Sequence, residues 1–134
     1  MPLPQAIPMI HVPDVWATVE WYEHIGFSVA GLHTEPSGEA TWAQLTFGET
    51  QVMLNAGGRP STADRREVDL YLVVDEIGPL LQRMQGHAEF VEDVHDTEYG
   101  MREFIVRDCN RFWITVGQRM PGAAQADLQS RSGT

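Results

Sequence analysis

The feature that most constrains this chain is an internal repeat. The pattern strand, helix, strand, strand, strand runs once through the first half and starts again in the second, so the fold must be read as two copies of one unit. Asp14 and Asp75 anchor the two copies. Each follows an apolar strand, Ala6 to Val12 or Val68 to Val74, and is suited to cap a helix of about three turns. In the first copy Val15, Val19, Tyr22 and Ile25 form one apolar stripe ended by Gly26. In the second, Ile77, Leu80, Leu81 and Met84 do the same before Gly86. Three strands follow each helix: Phe27 to Leu32, Ala40 to Phe47 and Gln51 to Asn55, then Glu89 to Val94, Met101 to Val106 and Phe112 to Val116. A polar stretch from Ala56 to Glu67 reads as the connector, and the segment after Gln118 lacks any period and is expected to be a mobile tail over 119–134.

A length of 134 residues allows one domain with one sizeable core. We therefore expect a single domain over 1–118, with repeats at about 6–56 and 68–118. No apolar run approaches membrane-spanning length, and no basic segment precedes an apolar stretch at the N-terminus, so a cytoplasmic location is expected. The formal net charge is -10, and all nine basic residues are Arg. Such a field repels polyanions, which argues against nucleic acid and favours neutral or cationic ligands. The one cysteine, Cys109, has no partner for a disulfide or a zinc motif. No Ser is placed with a His and an acid in a recognisable nucleophilic motif.

Three stretches, AIPMIHVPDV (6–15), VEWYEHIGF (19–27) and YGMREFIVRD (99–108), carry a resemblance to the vicinal oxygen chelate superfamily. That group includes glyoxalase I, extradiol dioxygenases, fosfomycin-inactivating enzymes and bleomycin resistance proteins. The run from Tyr99 through Arg102, Glu103 and Phe104 to Asp108 is most similar to the bleomycin resistance proteins. Arg111 departs from the pattern, which has a glycine in that turn. The resemblance implies an α+β fold in which tandem βαβββ repeats form curved mixed sheets around a cleft, in a homodimer whose cleft is completed by both subunits.

Strand parity then sorts the side chains of that implied cleft. Trp42 and Gln44 on the third strand should face it, with Met53 and Asn55 on the fourth, and His11 on the first. From the second half come Asp69, Tyr71 and Trp113, and Glu103 joins Asp69, Asn55 and Gln44 as a polar group that could orient a ligand. Enzymes of the superfamily hold a divalent metal at four strand positions, which fall here at Ile7, near Met53 to Asn55, at Asp69 and at Thr115. Only Asp69 is an ordinary ligand, so no metal and no other cofactor is expected, and the chain reads as non-catalytic. A displaced site using His11, His95 and Glu103 can be drawn but has no support from spacing.

By resemblance, Tyr99 takes the role of an aromatic that stacks on planar heterocycles, and Trp42 is the candidate for the opposite face. The leading expectation is therefore sequestration of an aromatic antibiotic or natural product, bleomycin-like or a peptide antibiotic with a planar bicyclic chromophore. The alternatives are a metal-dependent lyase, isomerase, dioxygenase or thiol transferase with an atypical site, or a biosynthetic accessory protein that holds an intermediate.

Overall fold

In a computed structural model that describes residues 4–121, the repeat is realised as two four-stranded mixed sheets, each with one helix. The first unit contains β1 (Met9–Val12), α1 (Val15–His24), β2 (Ser28–Thr34), β3 (Ala40–Phe47) and β4 (Thr50–Ala56). The second contains β5 (Asp69–Val73), α2 (Gly78–Met84), β6 (Glu89–Asp96), β7 (Met101–Arg107) and β8 (Trp113–Arg119). The strand orders match, β1-β4-β3-β2 and β5-β8-β7-β6. In each sheet the first strand lies parallel to the last, and the remaining pairs are antiparallel. The chain divides into two compact units between Thr62 and Ala63, so the end of the expected connector belongs with the second unit.

In the first unit Asp14 caps α1 as its position suggests. Its carboxylate accepts from the Ala17 amide at 3.0 Å, and the Thr18 hydroxyl donates to the Asp14 carbonyl at 2.8 Å. The helix packs against β3 and, less closely, β2 and β4. Tyr22, Phe27 and Phe47 link helix to sheet through ring contacts of 5.0 and 4.8 Å, which identifies the odd-numbered face of β3 as the helix side. Val19, Ile25, Ala43, Leu45, Val52 and Leu54 are buried there, each large aliphatic contributing about 1.5–3 kcal/mol of burial.

The second helix corrects the sequence expectation. Asp75 is not its cap: α2 begins at Gly78, Ile77 is the N-cap residue, and no side chain of the cap bonds to the helix. The physical reason is Pro79, whose fixed φ and missing N–H suit the first helical turn and draw the start downstream. The helix is therefore seven residues long, about two turns. Gln118 on β8 offsets the missing cap by accepting the Ile77 amide at 2.7 Å. Leu80 and Met84 are buried, as are Phe104, Val106, Ile114 and Val116.

The β7–β8 turn is organised by Asp108, whose carboxylate accepts from the amides of Asn110 and Phe112 at 2.8 and 2.9 Å. Arg111 occupies the left-handed position at φ 70°, where a glycine would be unstrained. Cys109 is exposed in this turn. Strand β8 continues through Arg119, and the Met120 amide donates to the Gly100 carbonyl at 3.0 Å. The expected tail lies outside the described residues from position 122 onward. Among the described residues no helix is long and apolar enough to cross a membrane.

Candidate binding surfaces on the two sheets

In the second unit, register places Tyr71 beside Thr115 on β8, and Glu103 on β7 opposite Gly117. Directly opposed residues share a sheet face, so these side chains lie together. The Tyr71 hydroxyl donates to Glu103 Oε2 at 2.6 Å, and the Tyr99 hydroxyl donates to Oε1 at 2.7 Å. Glu103 is 2% exposed, so each oxygen of a buried carboxylate is met by a phenol. Gly117 makes this reach possible. A Cβ at that position would lie 3.2 Å from Tyr71 Cε1 and 3.3 Å from its hydroxyl. Tyr71 nonetheless keeps 36% of its surface exposed, so it is tethered at its hydroxyl while about a third of the residue meets solvent.

Further along the same face, Asp69 sits beside Trp113 in register. Arg65 joins the two: its guanidinium pairs with the Asp69 carboxylate and lies 4.1 Å from the centroid of the Trp113 ring. The hydrogen bond that Arg65 donates to Asp69 holds the guanidinium pKa above its ordinary value. Trp113 is fixed at its edge, with Nε1–H donating to the Asp64 carbonyl at 2.9 Å.

The first unit presents a neutral counterpart. Trp42 and His11 both pair with Asn55 in register, and Gln44 pairs with Met53. The Trp42 ring passes close over Gly31, where a Cβ would lie 3.0 Å from Cη2 and Cζ3. The Gln44 amide donates to Gln51, orienting two amides on the face. His11 is exposed, and its backbone is approached so closely by Gly58 that a Cβ there would lie 2.4 Å from the His11 carbonyl.

The residues do not fit a divalent metal. Register sets Met9 beside Met53, and Tyr71 rather than Asp69 beside Thr115. Asp69 is committed to Arg65, Glu103 receives two phenols, and His95 Nδ1 lies 2.9 Å from the Asp93 carbonyl. Among the described residues no three His, Cys, Asp or Glu side chains are grouped to hold a metal ion.

Sequence reasoning places Tyr71, Tyr99 and Glu103 in one list, and the structure joins them through hydrogen bonds. It missed Gly31, Gly117 and Arg65. A glycine inside a strand signals close approach by another group, and that signal was present at both glycines. Arg65 carried no comparable signal, since its partners are set by how the segment before β5 lies on β8.

Comparison with known proteins fits this architecture. Residues 6–116 match the family model described as the glyoxalase/bleomycin resistance protein/dioxygenase superfamily. A search of curated protein sequences finds no match. Among solved structures, TioX from Micromonospora sp. ML1 aligns with a TM-score of 0.68 at 19% identity, covering 87% of this chain and 100% of its own. A bleomycin-binding protein complexed with bleomycin aligns with a TM-score of 0.64 at 15% identity, over 87% of this chain and 99% of its own. A glyoxalase-related enzyme from Clostridium phytofermentans gives 0.65 at 15% identity, over 90% and 98%. These likenesses establish the fold, and the family-model match across most of the chain establishes the lineage. The chain belongs to the glyoxalase/bleomycin resistance protein/dioxygenase superfamily.

Proposed function

We propose that this protein binds and sequesters a planar aromatic antibiotic or related natural product without transforming it, as a cytoplasmic homodimer. The observation that carries this reading is Tyr71, which stays partly exposed although its hydroxyl is tied to the buried Glu103 carboxylate. A ring held this way has already lost rotamer freedom before a ligand arrives, so stacking on it costs less entropy. Trp42, seated against Gly31, offers the same property on the first sheet, and Tyr99 is similarly tethered. Stacked aromatic pairs add about 0.5–1.5 kcal/mol each beyond area burial. Gln44, Met53, Asn55 and His11 supply polar and polarizable contacts around Trp42, while Asp69, Glu103 and Trp113 do so around Tyr71. The acidic composition favours cationic drugs over anionic ones.

Titration of the purified protein with bleomycin, and with peptide antibiotics carrying a planar bicyclic chromophore, tests the reading through tryptophan fluorescence. Saturable quenching at micromolar drug is expected, with Tyr71→Ala weakening the binding about tenfold, as a lost stacking and packing contact would. Absence of quenching with every drug at micromolar concentration overturns it. Expression in a sensitive host should raise drug tolerance, which separates resistance from a role in biosynthesis.

A further inference from the structure

We propose that Arg65 is a built-in occupant of a planar-cation subsite formed by the Trp113 ring and the Asp69 carboxylate, and that a ligand's flat cationic group displaces it. The inference deepens the reading of the chain as a small-molecule binder and rests on it. Its basis is the double commitment of one guanidinium: 4.1 Å from the indole centroid and ion-paired to a carboxylate on the neighbouring strand. A planar cation held over an aromatic ring and paired with an acid is what the surface already selects from its own chain. A ligand cation of the same shape meets the same two groups.

The surroundings let Arg65 leave without disturbing them. The backbone on either side is anchored: the Ala63 carbonyl accepts from Arg111 Nε at 2.8 Å, and the Asp64 carbonyl accepts from Arg107 Nε at 2.7 Å and from Trp113 Nε1 at 2.9 Å. Next in sequence, Arg66 donates to the Asn110 carbonyl at 3.1 Å and covers the Phe112 ring at 4.3 Å. The Arg66 side chain is only 12% exposed, whereas that of Arg65 is 56% exposed. Release of Arg65 is therefore a side-chain rotation into water, and the floor beneath it stays fixed. Arg111 helps to hold that floor from its left-handed backbone position, which accounts for an arginine where the resemblance leads one to expect glycine. Tenancy by Arg65 lowers the apparent affinity for weak cations and reserves the subsite for ligands that gain contacts elsewhere on the face.

The test uses two small probes, N-methylquinolinium and its neutral relative quinoline, followed through the Trp113 indole N–H resonance in proton–nitrogen spectra of wild type, Arg65→Ala and Arg65→Met. Both variants should bind N-methylquinolinium about tenfold more tightly than wild type, since the competing cation–π contact is gone. Quinoline should gain less, and adding Asp69→Asn to Arg65→Ala should remove most of the cation's advantage. Arg65→Met retains the apolar stem over the ring and serves if the alanine variant is unstable. Unchanged or weaker binding in the folded variants overturns the inference. If antibiotics bind wild type while the Trp113 resonance stays fixed and Arg65→Ala changes nothing, the subsite fails and sequestration stands. If the variants bind N-methylquinolinium about tenfold more tightly than wild type while no antibiotic binds, the subsite stands and sequestration fails.

Discussion

The two units share a strand order and differ in how they use polar groups. The first closes with its own chemistry nearby: Asp14 caps α1 from the adjacent position, and the exposed face carries Trp42, neutral amides, Met53 and an imidazole. The second reaches across its sheet. Gln118 serves the start of α2, Glu103 takes hydrogen bonds from Tyr71 and Tyr99, and Arg65 bridges Asp69 and Trp113. The two copies thus share a backbone plan, while Asp69, Glu103 and Arg65 set charged groups on the sheet of the second. The difference teaches that one strand plan can carry an ion pair and a buried carboxylate on one sheet and amides, a thioether and an imidazole on the other.

The strongest way to break this comparison lies in the first unit, at a backbone approach rather than a polar pair. Gly58→Ala should destabilise the protein by about 3 kcal/mol, at the severe end of overpacking, because its Cβ would meet backbone and not a flexible side chain. A urea midpoint equal to wild type would show that the segment after β4 simply moves aside. Next comes the second unit's polar cluster. Glu103→Ala should cost about 2–3 kcal/mol through loss of two bonds to a buried carboxylate, and Glu103→Gln less than half of that, since one acceptor survives. Equal losses for the two variants in denaturant unfolding would mean that packing, not hydrogen bonding, is what the position supplies. The smallest effect is the sharpest comparison of the copies. Asp14→Ala should cost about 1 kcal/mol as a lost cap, while Asp75→Ala, exposed and outside α2, should stay within about 0.5 kcal/mol. Matching losses would restore the symmetry that the structure denies.

That asymmetry marks where the sequence was readable. Asp14 with its following stripe and Gly26 was a complete local signal, and the helix formed where it pointed. Asp75 gave the same signal, but Pro79 competed with it and won, because a proline's conformational preference is stronger than a cap's single hydrogen bond. Strand parity was legible for a related reason: side chains alternate with period two whatever the neighbours are. Ala43 and Leu45 are buried, and Trp42 and Gln44 lie on the other face.

By itself, then, the sequence determined the duplicated strand-helix-three-strand plan, the first helix with its cap, and which side of strands such as β3 and β4 is apolar. These follow from backbone propensity and hydrophobic periodicity within about ten neighbouring residues. Only the tertiary structure decided that Tyr71 and Tyr99 share one buried carboxylate, that Gly58 presses on β1, and that Arg65 lies on Trp113. Each of those depends on register between strands or on where a connecting segment lies. Such contacts join residues distant in the chain, whose meeting no local pattern encodes.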